Sequence, residues 1–229
     1  DAREPSREVT GTDGGDDDEL ARQAISDIEE FWEGSYSGVF DGQFTPPVEA
    51  LYSWDANGFD SISFCDSDTY GLVNAGFCHD DNTIGWDRGE LVPTCGAPRG
   101  GRWAWRWCSP TSTAMPCSSR RVWSTRTPPT LVAEQQADCM AGAYMRWVAE
   151  DNSPRFTLST GEGLNNVLAA VISFRDPLLN EDDPPEVGVD EHGSAFERLS
   201  AFQFGFTDGI AACATIDMRE IGQRRGDCR

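Results

Sequence analysis

Residues 130–149 of the chain read TLVAEQQADCMAGAYMRWVA. This stretch predicts one long helix from Thr130 to Ala149, beginning directly after two prolines. Glu134 and Asp138 are four residues apart, so they share one face of that helix. Charge alone would make this a solvated face, because carboxylates are rarely buried without partners. The alternative is that this face carries residues of a functional site.

The sequence on both sides of this helix predicts an α+β fold. Towards the carboxyl end we expect a helix over 162–174, with Ser159 and Glu162 spaced as a capping box, and another over 194–213. Towards the amino end, apolar residues recur at helical spacing from Leu20 to Trp32. Between Tyr36 and Trp86, short apolar runs broken by Gly, Pro, Asn and Asp predict short strands. The fold is therefore expected to be mainly helical, with short strands in its amino-terminal half.

The first nineteen residues, DAREPSREVTGTDGGDDDE, are polar, acidic and without hydrophobic period. Such composition predicts a disordered acidic linker over 1–19, followed by one domain over 20–229. No stretch reaches the roughly eighteen uninterrupted apolar residues of a membrane span. Any leader or anchor is expected to precede Asp1.

Charge and cysteine content narrow the class of protein. The formal net charge of −21 repels phosphate backbones and argues against nucleic-acid partners. All eighteen basic residues are Arg, which suggests a gene rich in G and C. Eight Cys without paired CxxC spacing favour disulfides in an oxidising compartment over a zinc ribbon. We therefore expect an extracytoplasmic protein that is secreted or membrane-anchored.

The segment 95–129 differs from the rest of the chain. No acid occurs between Cys95 and Ala133, although the chain has 39, and the same stretch holds six of the eighteen Arg and four of the eight Trp. The run 102–108, RWAWRWC, fits neither a helical nor a strand period. A Trp/Arg patch that binds a ligand is one interpretation.

A shifted reading frame is the other interpretation, and it makes segment 95–129 anomalous and poorly ordered. The six residues Pro110, Thr111, Ser112, Thr113, Ala114 and Met115 can be encoded by CCC ACG AGT ACG GCC ATG. When each codon starts on the third base of the previous one, the product is His-Glu-Tyr-Gly-His. This product is an HExxH motif, in which two His on one helical face bind Zn²⁺ and the Glu is the general base. Asp227-Cys228-Arg229 could begin a second lost frame, in which case the native chain continues beyond Arg229.

The residues on both sides of this segment resemble the bacterial neutral zinc metallopeptidase family. Residues 131–139 with Ala141 and Gly142 match its EQQADCxAG signature. The other matching positions keep the family's order and are, upstream, Asp27-Ile28, Phe31-Trp32, Cys65, Asn74-Ala75, Cys78, Ile84, Trp86-Asp87, Leu91 and Pro93, and downstream, 192–198, 201–203, Gly205-Phe206, Gly209 and Cys213. The resemblance covers about residues 25–215 and fails in the anomalous segment, where the family carries HExxH.

The resemblance implies a zincin-like peptidase domain that hydrolyses peptide bonds with zinc-activated water. Glu134 would be the third zinc ligand, and Asp138 would orient a ligand His. His192 would act near the metal or, as we prefer, structurally at the start of the last helix. The resemblance also implies the disulfides Cys65–Cys78 and Cys139–Cys213. The chain as written lacks the HExxH residues, so it is expected to bind Zn²⁺ poorly and to be inactive.

Two other classes of function stay open. A pseudoenzyme would keep the scaffold as a binding module, and it requires that residues 95–129 fold compactly and are truly encoded. An extracellular binding protein with a Trp/Arg patch requires ligand binding that is lost when Trp103, Trp105 and Trp107 are changed. Substrate, cleavage preference and oligomeric state cannot be inferred from the sequence.

Overall fold

The computed structural model of the chain describes residues 4–5, 7–78, 80–96, 130–158, 161, 163–165, 167–168 and 195–216. Residues 97–129 of the anomalous segment 95–129, most of the predicted helix 162–174, and both histidines lie outside these residues. The predictions of poor order in that segment, of a capping box at Ser159, and of a chain extending past Arg229 concern parts that are not described.

The amino-terminal residues 7–19 belong to the folded domain, so the prediction of a disordered linker is wrong for them. Val9–Thr10 form strand β1, and helix α1 spans Asp16–Ser35, four residues earlier than expected. The Asp18 carboxylate is buried and accepts hydrogen bonds from Ser53 Oγ at 2.6 Å and Trp86 Nε1 at 2.8 Å. These partners are distant in the sequence, and they hold in place a segment whose composition alone predicts disorder.

Asp13 lies just before α1 and is also fixed. The backbone N–H of Gly15 donates to Asp13 Oδ1 at 2.8 Å, and Arg88 Nε lies 3.3 Å from Oδ2. The Gly15 hydrogen bond, helped by the Arg88 charge, lowers the pKa of Asp13 below its ordinary value. The loop into the helix is therefore connected to the turn that follows the sheet.

The predicted short strands are present between α1 and residue 87. A four-stranded mixed sheet contains β1, β2 (Ala50–Trp54), β5 (Ala75–Cys78) and β6 (Thr83–Asp87) in the order β1-β2-β6-β5. β2 is parallel to both β1 and β6, whereas β5 is antiparallel to β6. β6 is buried along its whole length, as expected for a central strand covered on both faces.

Two small elements flank this sheet. The antiparallel hairpin β3 (Ser63–Phe64) and β4 (Ser67–Asp68) lies between β2 and β5 in the chain. Helix α2 spans Leu91–Gly96 directly after β6. The buried Asp87 carboxylate accepts hydrogen bonds from the backbone N–H groups of Ala56, Gly89, Glu90 and Leu91, which fixes both turns at this end of the sheet.

The predicted carboxyl-terminal helices are largely confirmed. Helix α3 spans Thr130–Ala149, with the predicted bounds. The last predicted helix, 194–213, is two helices: α4 spans Ala195–Asp208 and α5 spans Ile210–Cys213. Gly209 between them has φ +82° and ψ −178°, a conformation that is essentially restricted to glycine and that interrupts the helix. Within the predicted helix 162–174, residues 163–165 and 167–168 are helical.

Helices α3 and α4 pack with almost no space between their backbones. A Cβ atom added to Gly205 would lie 1.8 Å from the Cys139 carbonyl oxygen, and one added to Gly142 would lie 2.0 Å from the Phe202 carbonyl oxygen. Only glycine fits at either position without moving the helices apart. These two contacts fix the distance between α3 and α4.

We expect Gly205→Ala to destabilise the protein by at least about 2 kcal/mol, because overpacking against a backbone exceeds the gain of about 1 kcal/mol in helix propensity. Gly34→Ala is the matched control, since it lies in α1 and its added Cβ would meet no atom within 4 Å. The control should stabilise slightly. Urea unfolding measures both variants, and equal effects would contradict the proposed close packing.

Helices and a mixed sheet together confirm the predicted α+β class. The main core lies between α1, the sheet and α3, and it includes Trp32, Leu51, Ile84, Met145 and Phe202. A smaller cluster of Trp54, Ala56, Phe64 and Cys78 lies under the β3–β4 hairpin. Among the described residues, no helix combines the length and the apolar character needed to cross a membrane.

Candidate functional site

The first half of α3 carries polar side chains into the interior. Glu134, Gln135, Gln136 and Asp138 are each 7% exposed or less, and their neighbours from Ala137 to Met145 are buried as well. A helix buried on all faces is normally apolar, because an unsatisfied buried polar group costs roughly 1–3 kcal/mol. These polar residues therefore mark the candidate site.

Asp138 is held by Arg198 of α4. Arg198 Nε donates to Asp138 Oδ2 at 2.9 Å, and Nη2 donates to Oδ1 at 2.8 Å. The Asp138 side chain is 0% exposed and that of Arg198 is 5% exposed. This planar, bidentate geometry suits a guanidinium and a carboxylate, and it neutralises both charges inside the core.

Two further contacts join the same part of α3 to the segment that follows α4. Gln136 Nε2 donates to the Ile216 carbonyl oxygen at 3.1 Å. Cys139 forms a disulfide with Cys213, as predicted, and neither cysteine is exposed. An ion pair, a hydrogen bond and a covalent bond thus fix residues 198–216 against the Glu134–Cys139 stretch.

Glu134 lies one helical turn before Asp138, in the same buried stretch. A carboxylate at this position has the chemistry of a metal ligand or a general base. Its distance of four residues from Asp138 places both on one face of α3, as the sequence predicted. The solvated-face interpretation is wrong for both residues, because their side chains are buried.

The other predicted site residues lie outside the described part of the chain. His192 precedes α4, and the segment from Pro110 to Met115, where HExxH is expected, precedes α3. Of the predicted site, the structure therefore brings together Glu134 and Asp138.

A zinc site of the HExxH type does not fit the side chains that are present. In the residues described up to 96, from 130 to 168 and from 195 to 216, no group of three or more His, Cys, Asp or Glu side chains could hold a metal ion. The whole sequence has two His, at positions 79 and 192, so it offers no pair four residues apart. Glu134 alone would leave most of a tetrahedral zinc shell without protein ligands.

A second buried acidic centre was not predicted as a site. Asp27 of α1 is 0% exposed and accepts hydrogen bonds from Tyr144 Oη at 2.6 Å and Ser153 Oγ at 2.8 Å. Arg155 Nη1 lies 3.7 Å from Asp27 and 2.9 Å from Glu30. In the sequence, Asp27 was named only as part of Asp27-Ile28, one of the positions that resemble the metallopeptidase family. Its contacts connect α1 to the end of α3.

The second predicted disulfide is also present. Cys65, in the turn between β3 and β4, is bonded to Cys78 at the end of β5.

Comparison of the chain with known protein families, with curated proteins and with solved structures gives no match.

Proposed function

We propose that this chain is a neutral zinc metallopeptidase-like protein that has lost its HExxH motif and is inactive as written. The observation that carries the proposal is the buried pair of carboxylates, Glu134 and Asp138, one turn apart on the central helix. A buried carboxylate is costly unless it is paired or binds a metal, and Glu134 stands where the resemblance implies a metal ligand. Their place within the EQQADCxAG resemblance supports the same interpretation.

The two carboxylates have different roles in this proposal. Glu134 is the residue that would complete a metal site in intact relatives. Asp138 was expected to orient a ligand His, but both of its oxygen atoms receive hydrogen bonds from Arg198. We therefore assign Asp138 and Arg198 the task of holding α4 against α3, which keeps the turn of α3 that carries Glu134 rigid.

The fold and the compartment are part of the same proposal. The zincin-like architecture is supported by the mixed sheet next to α1 and by the central helix α3. An extracytoplasmic location, secreted or anchored upstream of Asp1, is supported by two disulfides within one small domain. Intact relatives would take a peptide or protein substrate, whereas the charge of −21 argues against nucleic acid.

The chain as written is expected to retain less than about 0.1 zinc ion per molecule after dialysis, because two imidazoles and the general base are missing. Elemental analysis measures the zinc content, and a quenched fluorescent peptide library measures hydrolysis. Glu134→Gln is the matched variant and should be indistinguishable from the parent in both assays. Stoichiometric zinc that disappears in Glu134→Gln would contradict the proposed inactivity.

A further inference from the structure

The two disulfides that join described residues lie in opposite environments. Cys65 is exposed at the tip of the β3–β4 hairpin, and its partner Cys78 is buried at the end of β5. Cys139 and Cys213 are both 0% exposed between α3 and α5. A thiolate can reduce a disulfide only where it can reach a sulfur atom, so of these two bonds the first is the one open to attack.

We propose that Cys65–Cys78 is a redox-controlled latch on the hairpin Ser63–Asp68, opened by a dithiol reductant, and that Cys139–Cys213 is a permanent structural bond. One thiolate of the dithiol attacks Cys65 Sγ, which forms a mixed disulfide and releases the Cys78 thiolate. The second thiol of the reductant then closes its own disulfide and releases Cys65. In total, the dithiol transfers two electrons and two protons to the protein disulfide.

The backbone of the hairpin itself is weakly held once the bond is cut. Each strand has two residues, and the turn between them consists of Cys65 and Asp66, with φ of 52° and 60°. Left-handed backbone is unfavourable for non-glycine residues, and hairpin turns with two such residues favour Asn-Gly or Gly-Gly. The bond to β5 therefore keeps an unfavourable turn closed.

Opening the latch would uncover a defined apolar contact. Phe64 of the hairpin packs against Trp54, with ring centroids 5.3 Å apart. Both rings lie directly on the backbone of β6, because a Cβ atom added to Gly85 would lie 2.6 Å from the Trp54 ring and 2.7 Å from the Phe64 ring. Movement of the hairpin removes Phe64 from this position and leaves the main core between α1, the sheet and α3 in place.

The flanking segments define the limits of the movement. The backbone N–H of Thr69 donates to the Ile62 carbonyl at 3.1 Å, and the N–H of Gly71 donates to the Ala56 carbonyl at 2.8 Å. The Gly71 bond lies outside the hairpin and remains after reduction, whereas the Thr69 bond closes the base of the hairpin and is expected to open with it. Residues 62–69 are the expected mobile unit.

The test uses the full chain in its oxidised form, with free thiols first blocked by iodoacetamide. Graded dithiothreitol is then added, and new thiols are trapped with N-ethylmaleimide and located by peptide mass spectrometry. Cys65 and Cys78 should be labelled at least about ten-fold faster than Cys139 and Cys213, because exposed disulfides are the labile ones. Hydrogen exchange should rise at 62–69 and stay unchanged in α3.

Cys65→Ser combined with Cys78→Ser is the control variant, and it should show the same exchange pattern without reductant and no response to it. Equal labelling rates for the two bonds would overturn the proposal. So would faster labelling of Cys139 and Cys213, or complete reduction of Cys65–Cys78 with no rise in exchange at 62–69. The labelling rates of the unmodified chain test the proposed latch even if the variant fails to fold.

Discussion

If residues 95–129 are replaced by the sequence that the shifted reading frame encodes, we expect the chain to retain about one zinc ion per molecule and to hydrolyse peptides. Restoring the frame supplies the two imidazoles and the general base that an HExxH site needs, and Glu134 supplies a further ligand. Hydrolysis should exceed that of the chain as written by at least about a thousand-fold, since enzymes accelerate such reactions by far more. Elemental analysis and the peptide library measure the two properties.

Two variants of the restored chain test the zinc ligand Glu134 and the general base separately. Glu134→Gln should weaken zinc binding by at least about a hundred-fold, because even residues that only orient a ligand cost ten- to a hundred-fold when removed. Replacing the glutamate of the restored HExxH by glutamine should keep zinc and abolish hydrolysis. A restored chain that folds but holds no zinc would contradict the proposed function. Zinc binding unaffected by Glu134→Gln would contradict the role of that residue.

Arg198→Met is expected to lower the free energy of unfolding by about 3–5 kcal/mol, the usual effect of leaving one member of a buried ion pair alone. Asp138 would then keep a carboxylate inside the core without the guanidinium that donates to both of its oxygen atoms. Most of this loss comes from the stranded charge and not from the lost contact. Urea unfolding followed by circular dichroism measures the change.

Arg146→Met is the matched control, because Arg146 also links α3 to α4 but does so on the surface: it pairs with Glu150 at 2.8 Å and donates to the Thr207 carbonyl oxygen at 2.7 Å. Its cost should be below about 1 kcal/mol, as for other surface pairs. Combining Arg198→Met with Asp138→Leu should recover most of the stability, since both charges are then absent. Equal losses for Arg198→Met and Arg146→Met would show that the buried pair does not hold α4 to α3.

The helices were the most predictable part of the fold. The bounds of α3 follow from a segment that starts after two prolines and keeps its pattern to Ala149. The break between α4 and α5 was missed, because Gly209 is tolerated within a helical pattern and its positive φ depends on the packing around it. Both disulfides were implied by the resemblance and are present, although spacing alone does not determine connectivity.

Tertiary contacts account for what the sequence did not reveal. The acidic composition of residues 7–19 predicts disorder, yet Asp18 is held by Ser53 and Trp86, 35 and 68 residues away. The same limit applies to the candidate site, where Arg198 appeared only as part of a matching motif. Its pairing with Asp138 across 60 residues depends on how α4 lies on α3, which no local pattern specifies.

The proposed function rests on a shifted reading frame that removed the zinc-binding helix from a metallopeptidase scaffold. Independent sequencing of the gene across codons 90–135 is the decisive experiment. We expect an added or missing base near codon 95 and a compensating change near codon 129, with HExxH encoded between them. A clean read that encodes residues 95–129 in the frame given would overturn the proposed loss and leave the peptidase assignment as ancestry alone.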